Sequence, residues 1–309
     1  MKIRELASGL MFPEGPIAMD DGSVILVEIG RKTLTRVTPD GKKHILAEMG
    51  GGPNGAAIGP DGAVYICNNG GFNFITHPAG YYLPVGQADD YSGGRIERVN
   101  LNTGKIERLL ESVEGYSLRG PNDLVFDLHG GLYFTDLGKA RPTEMDRGGV
   151  FYVAPGFAAS NTIARPALTA NGVALSPDGK TLYYAETEAA RLWAFELTAP
   201  GKINKQPWPS PHGGRMVTAA PGGVYQRFDS IAVDALGNIC VATLGHGGIT
   251  VVSPDGKLCS HIAMPEPYVT NICFGGKGMR TAFITLSGTG KLIAVDDWPI
   301  PGLRLNFNA

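Results

Sequence analysis

The sequence predicts an all-β fold, a six-bladed β-propeller with four-stranded blades around a central channel. Three observations predict it: a hairpin unit that recurs along the chain, turns built on Pro-Asp-Gly, and the absence of an amphipathic helical period of ordinary length. The unit is a polar residue, a small or polar residue, an apolar strand, a turn rich in Asp and Gly, and a second strand. Glu14 opens EGPIAMDDGSVILVE, Asn54 opens NGAAIGPDGAVYICN and Asn122 opens NDLVFDLHGGLYFTD. Asn171 opens NGVALSPDGKTLYYAE, Asp229 opens DSIAVDALGNICVAT and Asn271 opens NICFGGKGMRTAFIT. The six copies start at uneven intervals of roughly 40 to 70 residues, where a four-stranded blade needs about 40 to 50, so the long intervals carry insertions.

Within a copy the alternation is that of paired strands. In GVALSPDGKTLYYAE, Val173 and Leu175 precede the Pro177-Asp178-Gly179 turn, and Leu182 and Tyr184 follow it. Apolar residues two apart on both sides of such a turn predict a hairpin. The same tripeptide recurs at Pro39, Pro60 and Pro254, and a second hairpin per blade shows in GGVFYVAPG and GGITVVSPDGK. Gly71 to Gly93 and Lys202 to Tyr225 are rich in Gly, Pro and aromatic residues and read as long loops capping one face, a length that marks function more often than not. Residues 1 to 10 are expected to supply the outer strand that closes the last blade, because joining the chain ends removes exposed sheet edges. The whole chain, 1–309, reads as one domain.

Composition agrees with this fold and narrows the function. Of 309 residues, 44 are glycine and 22 proline, spread along the chain as many tight turns require. Hydrophobic residues make up 43% and charged residues 18%, enough for a core and too few charges for a disordered chain. The net charge is −2 and no run of Lys and Arg stands out, which argues against a nucleic-acid surface. MKIRELASGLMFPEGP holds no apolar stretch fit for a signal peptide or a membrane span, so the expectation is a cytoplasmic protein without membrane partners, a monomer or weak homo-oligomer. Cys67, Cys240 and Cys273 lie in apolar strand-like runs, Cys259 is the fourth, and no CxxC pair exists. Reduced, mostly buried thiols are expected, and the spacing does not suit structural zinc.

The opening residue of each copy should stand near one mouth of the channel, because each blade's innermost strand lines it. Glu14, Asn54, Asn122, Asn171, Asp229 and Asn271 would then form a ring of hard-oxygen side chains. A single Asn or Asp can simply cap a turn. Six of six exceeds capping, which would also accept Ser, Thr or Gly. Glu14 and Asp229 need a counter-charge in the channel, and no Arg or Lys holds an equivalent place. A divalent cation is the economical partner. Carboxylate and amide oxygens suit calcium, magnesium or manganese, with zinc open through the carboxylates. Calcium is the first choice.

These motifs, in this order, resemble the regucalcin (senescence marker protein) and gluconolactonase family of six-bladed propellers. The resemblance covers nearly the whole chain and rests on FPEGPIAMDDG, GPNDLVFDLHGGLYFTD, TANGVALSPDGKTLYYAET, FDSIAVDALGNICVAT and TNICFGGKGMRTAFIT. It implies a single divalent ion held by Glu14, Asn171 and Asp229, with Asn122 beside or on the ion, and hydrolysis of sugar lactones. Two departures stand out. Ser230 takes the place of a glycine after the key Asp, and Arg119 stands three residues before Asn122 rather than at the spacing of the family's sugar-contacting arginine. That separates the aldonolactone substrate from the metal site, which the departures leave intact.

The chemistry expected of such a site is metal-assisted ring opening, in which the ion polarises the lactone carbonyl and activates water. Asp229 is the expected general base, Glu14 a charge-balancing ligand, and Asn122 and Asn171 complete the shell. Asn54, Asn122, Arg119, Asn271 and His246 are the candidates for contact with substrate. His246 either faces the cleft or is a turn residue, and His129 reads as a hairpin-turn residue. Phe72, Phe74, His77, Tyr81 and Tyr82 either wall the pocket or pack their own loop. No GxSxG elbow is present, and no Gly pattern sits in a strand-then-helix context. Three functions stay open: a metal-dependent lactonase, another hydrolase or lyase on the same metal such as a phosphotriesterase-like enzyme, and a non-enzymatic ligand-binding propeller.

Overall fold

The innermost strands are Pro13–Ala18, Pro53–Ile58, Pro121–Phe126, Ala170–Leu175, Arg227–Val233 and Val269–Gly275. Each packs beside the next, and the last packs beside the first, so they close a ring around the channel. The computed structural model describes residues 1–308, and among them six antiparallel sheets radiate from these strands as the blades of a propeller. Three short 3-10 turns, at Pro155–Phe157, Pro221–Gly223 and Lys277–Met279, are the helical segments described.

Position within a blade decides its polarity. Inner strands are covered on both faces by neighbouring blades, and Pro13–Ala18, Pro121–Phe126 and Ala170–Leu175 are buried throughout. Outermost strands such as Lys43–Glu48 and Cys259–Ala263 are largely exposed. Apolar residues therefore gather between blades rather than in one central core. One cluster joins Val125 and Tyr133 of blade 3 to Leu182 and Tyr184 of blade 4, and an analogous cluster lies at every other blade–blade contact. Cys67, Cys240 and Cys273 are buried in these layers, Cys259 is exposed, and all four thiols are free.

The N-terminus closes the circle. Lys2–Ala7 pairs antiparallel with Lys291–Asp296 as the outer strand of blade 6, as the sequence predicts. The Gly71–Gly93 insertion of blade 2 is a two-stranded hairpin, Phe72–Thr76 against Tyr82–Gln87. The second expected long loop differs. Within Lys202–Tyr225, Arg215–Ala219 is the fourth strand of blade 4, paired with Arg191–Ala199. Its alternation is masked in the sequence by the Pro- and Gly-rich residues on both sides. At the opposite mouth the C-terminal segment crosses the channel. Leu303 N bonds Val233 O, Asn306 bonds Phe126 O and Asn308 bonds Ala18 O, which ties it to blades 5, 3 and 1. Among the described residues no helix is long and apolar enough to cross a membrane.

Candidate active site

A β-bulge in each inner strand builds the site. In blades 1 to 5 the register slips by one immediately after the first residues of the strand, between Glu14 and Ile17, Pro53 and Ala56, Pro121 and Leu124, Ala170 and Val173, and Phe228 and Ile231. A bulge re-aims the side chain beside it. Glu14, Asn54, Asn122, Asn171 and Asp229 occupy the same place relative to these slips, at the mouth where the inner strands begin. In blade 6 the slip comes one residue earlier, between Val269 and Asn271. Thr270 therefore takes the ring position, and Asn271 falls one residue deeper, level with Gly15, Gly55, Asp123, Gly172 and Ser230. Thr270 turns its hydroxyl to Thr285, Ser287 and the Pro13 carbonyl, between blades.

The ring is buried and acidic, and among the described residues no Lys or Arg forms an ion pair with Glu14 or Asp229; the Arg227 charge reaches Asp229, but its guanidinium is paired with Glu188. Glu14, Asn54, Asn122 and Asn171 are all buried, and Asp229 keeps partial access at the mouth. Glu14 Oε2 accepts hydrogen bonds from Gly15 N at 2.9 Å and from Asn271 Nδ2 at 2.8 Å. Burial pushes the Glu14 carboxyl up to about 7, against these donors and with help from the negative charge of Asp123. Burial and the charge of Glu14 raise Asp229 well above the carboxylate range, with the Asn171 amide pulling the other way. Asn171 Nδ2 donates to Thr187 Oγ1 at 2.9 Å, and its Oδ1 is buried with no partner. Among the described residues the side chains of Asn54 and Asn122 make no hydrogen bond within the protein.

Sequence reasoning missed a third carboxylate. Asp123, one residue below the ring, is buried and pushed up to about 6 by desolvation, while the Ser230 hydroxyl and Leu124 N donate to it. The signal was available, since NDL stands in the third motif where the second and fourth read NG. Beneath this layer lies a small chamber of about 60 Å3, lined by Gly15, Asp123, Asn271 and apolar residues such as Val173 and Ile231, and closed below by Leu303 and Leu305. Approach to the ring is therefore from the upper mouth. A larger cleft of about 500 Å3 between blades 3 and 4 opens on the opposite face and contains no ring residue.

The remaining candidates lie outside the ring. Arg119 is exposed, and its backbone is the part that is held: its N–H donates to Asp136 Oδ2 at 2.7 Å and its carbonyl accepts from Tyr91 Oη at 2.7 Å. His246 is exposed and packs against His261 of the outermost strand of blade 5, with ring centroids 3.9 Å apart and the rings tilted by 40°. His129 lies on the hairpin turn of blade 3, where its N–H bonds Asp127.

Among the described residues no three His, Cys, Asp or Glu side chains converge as a metal cluster. The ring instead offers two carboxylates and amide oxygens, a hard-oxygen set with one oxygen, Asn171 Oδ1, buried and unpartnered. That donor chemistry fits a hard divalent ion.

A family profile described as the SMP-30/gluconolactonase/LRE-like region matches residues 12–288. The chain belongs to this family. Among its relatives, a gluconolactonase of Zymomonas mobilis is 26% identical, over 92% of this chain and 79% of its own length. A lactonase, drp35, of Staphylococcus saprophyticus is 29% identical, over 79% of this chain and 67% of its own. The crystal structure of a calcium-binding regucalcin from Agrobacterium tumefaciens superposes with a TM-score of 0.76 at 18% identity, over all of this chain and 97% of that one. At that identity the likeness is one of fold.

Proposed function

We propose that this member of the SMP-30/gluconolactonase/LRE-like family is a hydrolase that opens a small lactone, a sugar lactone first, with one divalent ion, calcium first, held by Glu14, Asn122, Asn171 and Asp229. The observation that carries the reading is the ring itself. Two carboxylates with no ion-pair partner among the described residues stand with amide oxygens, one of them buried and unsatisfied, and the cation whose charge reaches Asp229, Arg227, is paired with Glu188. Lactone hydrolysis by relatives named for it supports the substrate class.

The ion, when bound, supplies Lewis-acid polarisation of the carbonyl and lowers the pKa of water. The chain's own groups do the rest. Asp229 stands at the mouth, and its carboxylate takes the proton of the attacking water as the new C–O bond forms. The ring C–O bond then breaks, and the same proton passes to the departing alkoxide, which leaves a hydroxy acid. The raised proton affinity of Asp229 belongs to the ion-free ring, and beside a bound ion its carboxyl favours the ionised form that a base requires. The free amides of Asn54 and Asn122 can donate to oxygen that gains charge. Glu14, tied by Gly15 and Asn271, stays fixed as negative charge.

The test is acid release from a panel of aldono-1,4- and 1,5-lactones and a plain aliphatic lactone, by wild type and Asp229→Ala, after EDTA and after re-addition of calcium, magnesium, manganese or zinc. The expected result is turnover that EDTA abolishes, one ion restores and the variant lacks. Turnover that survives EDTA would overturn the metal assignment. Tight ion binding with no lactone turnover would move the site to another substrate, with phosphotriesters the next to assay.

A further inference from the structure

One buried cation stands beside the mouth and has no part in the chemistry above. Lys139, in the loop after the second strand of blade 3, is fully buried. Its Nζ donates to Asn69 Oδ1 at 3.0 Å and to the Gly71 carbonyl at 2.8 Å, and lies 3.7 Å from the centre of the Phe72 ring. Among the described residues it forms no ion pair. Burial pushes its pKa down to about 7. The charges of Asp136 and Asp146 offset this in part without direct contact, and an ammonium whose direct partners are an amide, a carbonyl and an aromatic face is still costlier to retain than one at the surface.

Its contacts are all at the base of the blade 2 hairpin. From there the hairpin reaches the rims of neighbouring blades. The Phe74 ring stacks on Tyr82 and packs on Phe12 at 5.6 Å, and Phe12 stands two residues before Glu14. Phe12 itself is held at a φ of +54°, an unfavourable conformation for a bulky residue. Farther along, Tyr82 N donates to the Gly288 carbonyl at 2.9 Å, and Tyr81 packs edge-on to Tyr268 at 5.0 Å, two residues before the ring position of blade 6. On its other flank Gln87 N donates to Ala140 O at 3.1 Å, and Arg141 reaches Gln87 Oε1. The hairpin thus touches blades 6, 1 and 3 besides its own. Among the described residues no hydrogen bond or ring contact ties the hairpin to blades 4 and 5, which carry Asn171 and Asp229.

We propose that Lys139 is a positioning residue that pins the base of the 72–87 hairpin, and that the pinned hairpin is an aromatic wall selecting substrates by size. A substrate enters over blades 4 and 5 with its reacting carbonyl at Asp229 and its far edge against the wall. Substituents that project toward blades 6, 1 and 2 are refused.

The wall rests on the lactone-opening reading; the pin does not. Hydrogen exchange and lactone kinetics are therefore measured on wild type, Lys139→Met and Tyr81→Ala, with unsubstituted and alkyl-substituted γ- and δ-lactones. For Lys139→Met, protection of the 72–87 amides is expected to fall about ten-fold or more while the inner strands keep theirs. KM for substituted lactones is expected to drop at least about three-fold relative to the unsubstituted ring, with little change in kcat. Unchanged protection overturns the pin. Loosened amides with unchanged size discrimination overturn the wall. Should Lys139→Met fail to fold, Tyr81→Ala loosens the hairpin at its tip, and unchanged discrimination there overturns the wall equally. No turnover by wild type defeats the lactone reading alone, and exchange still decides the pin.

Discussion

The Ser230 hydroxyl donates a hydrogen bond to Asp123 Oδ2, joining blades 5 and 3 across the channel from positions 107 residues apart. Three of the six blades place glycine in this layer, Gly15, Gly55 and Gly172, where a side chain would clash. A Cβ on Gly55 would stand 2.5 Å from Asn122 O, and one on Gly172 would stand 2.5 Å from Ile231 N. The other three are Asn271, which donates to Glu14, and Asp123 and Ser230, which satisfy each other. Ser230→Gly leaves a buried carboxylate oxygen without its donor, a loss of about 1–3 kcal/mol. Urea unfolding should show that loss at pH 7 and a smaller one at pH 5, where Asp123 takes up a proton more readily. Equal losses at the two pH values would mean that the carboxylate is not their origin.

The three channel carboxylates set a pH dependence for the metal-free protein. Burial raises Asp123 to about 6 and Glu14 to about 7, and burial with the Glu14 charge raises Asp229 as well. The folded state thus binds protons that the unfolded chain, with ordinary carboxyls, releases at lower pH. The stability contributed by these groups is full below about pH 4 and is lost as pH rises through 6 to 7. Surface carboxylates held low by ion pairs and hydroxyls, such as Asp21 and Asp178, act with the opposite sign and only at more acid pH. In EDTA the melting temperature should therefore fall between pH 5 and 8. Saturating calcium should raise it more at pH 7.5 than at pH 5, because the ion then does the neutralising. A flat profile in EDTA would contradict the ring's shared burial.

How much of this was legible in the sequence turns on the bulges. Five ring residues follow from the repeat because their bulges fall at one place, and the polar residue before each apolar run marks it. Asn271 was read as the sixth because it too precedes an apolar run, but the earlier slip in blade 6 gives that place to Thr270. Register cannot be read from a motif whose bulge has moved. Lys139 left no signal at all, since a lone lysine in a loop reads as solvent-exposed. The hairpin's aromatics left two readings open: Phe74 and Tyr82 stack within the insertion and Phe74 packs on Phe12, which is loop packing, while the pocket wall is the proposal made above.

Asn171 separates ion binding from folding. Its Nδ2 donates to Thr187 and lies near enough to Asp229 to pull that carboxyl down, and its Oδ1 has no partner. Asn171→Ala should lower metal-free stability by only about 1–2 kcal/mol. Calcium affinity should fall at least about ten-fold, and Thr187→Val, which frees the amide to rotate, should lower it less. Calorimetric titration of both variants checks this. Wild-type affinity in Asn171→Ala would remove that oxygen from the proposed ligand set.

Closure by the N-terminal strand is testable through what it covers. Lys2–Ala7 pairs with Lys291–Asp296, a strand whose central residues are buried and whose free edge would otherwise face water. The ion pairs on this seam, Arg4 with Asp296 at 2.8 Å and Lys291 with Glu5 at 2.9 Å, are exposed and contribute little. The stabilisation should come from the backbone ladder and from Ala7, which sits in the cluster between blades 6 and 1. Deleting residues 1–7 should lower the melting temperature by about 5–10 °C, whereas Arg4→Ala should lower it by no more than about 1–2 °C. A large loss in both would place the energy in the charges. No loss in either would mean that blade 6 holds the ring shut with three strands, and that closure depends on the inner-strand contacts of blades 6 and 1 alone.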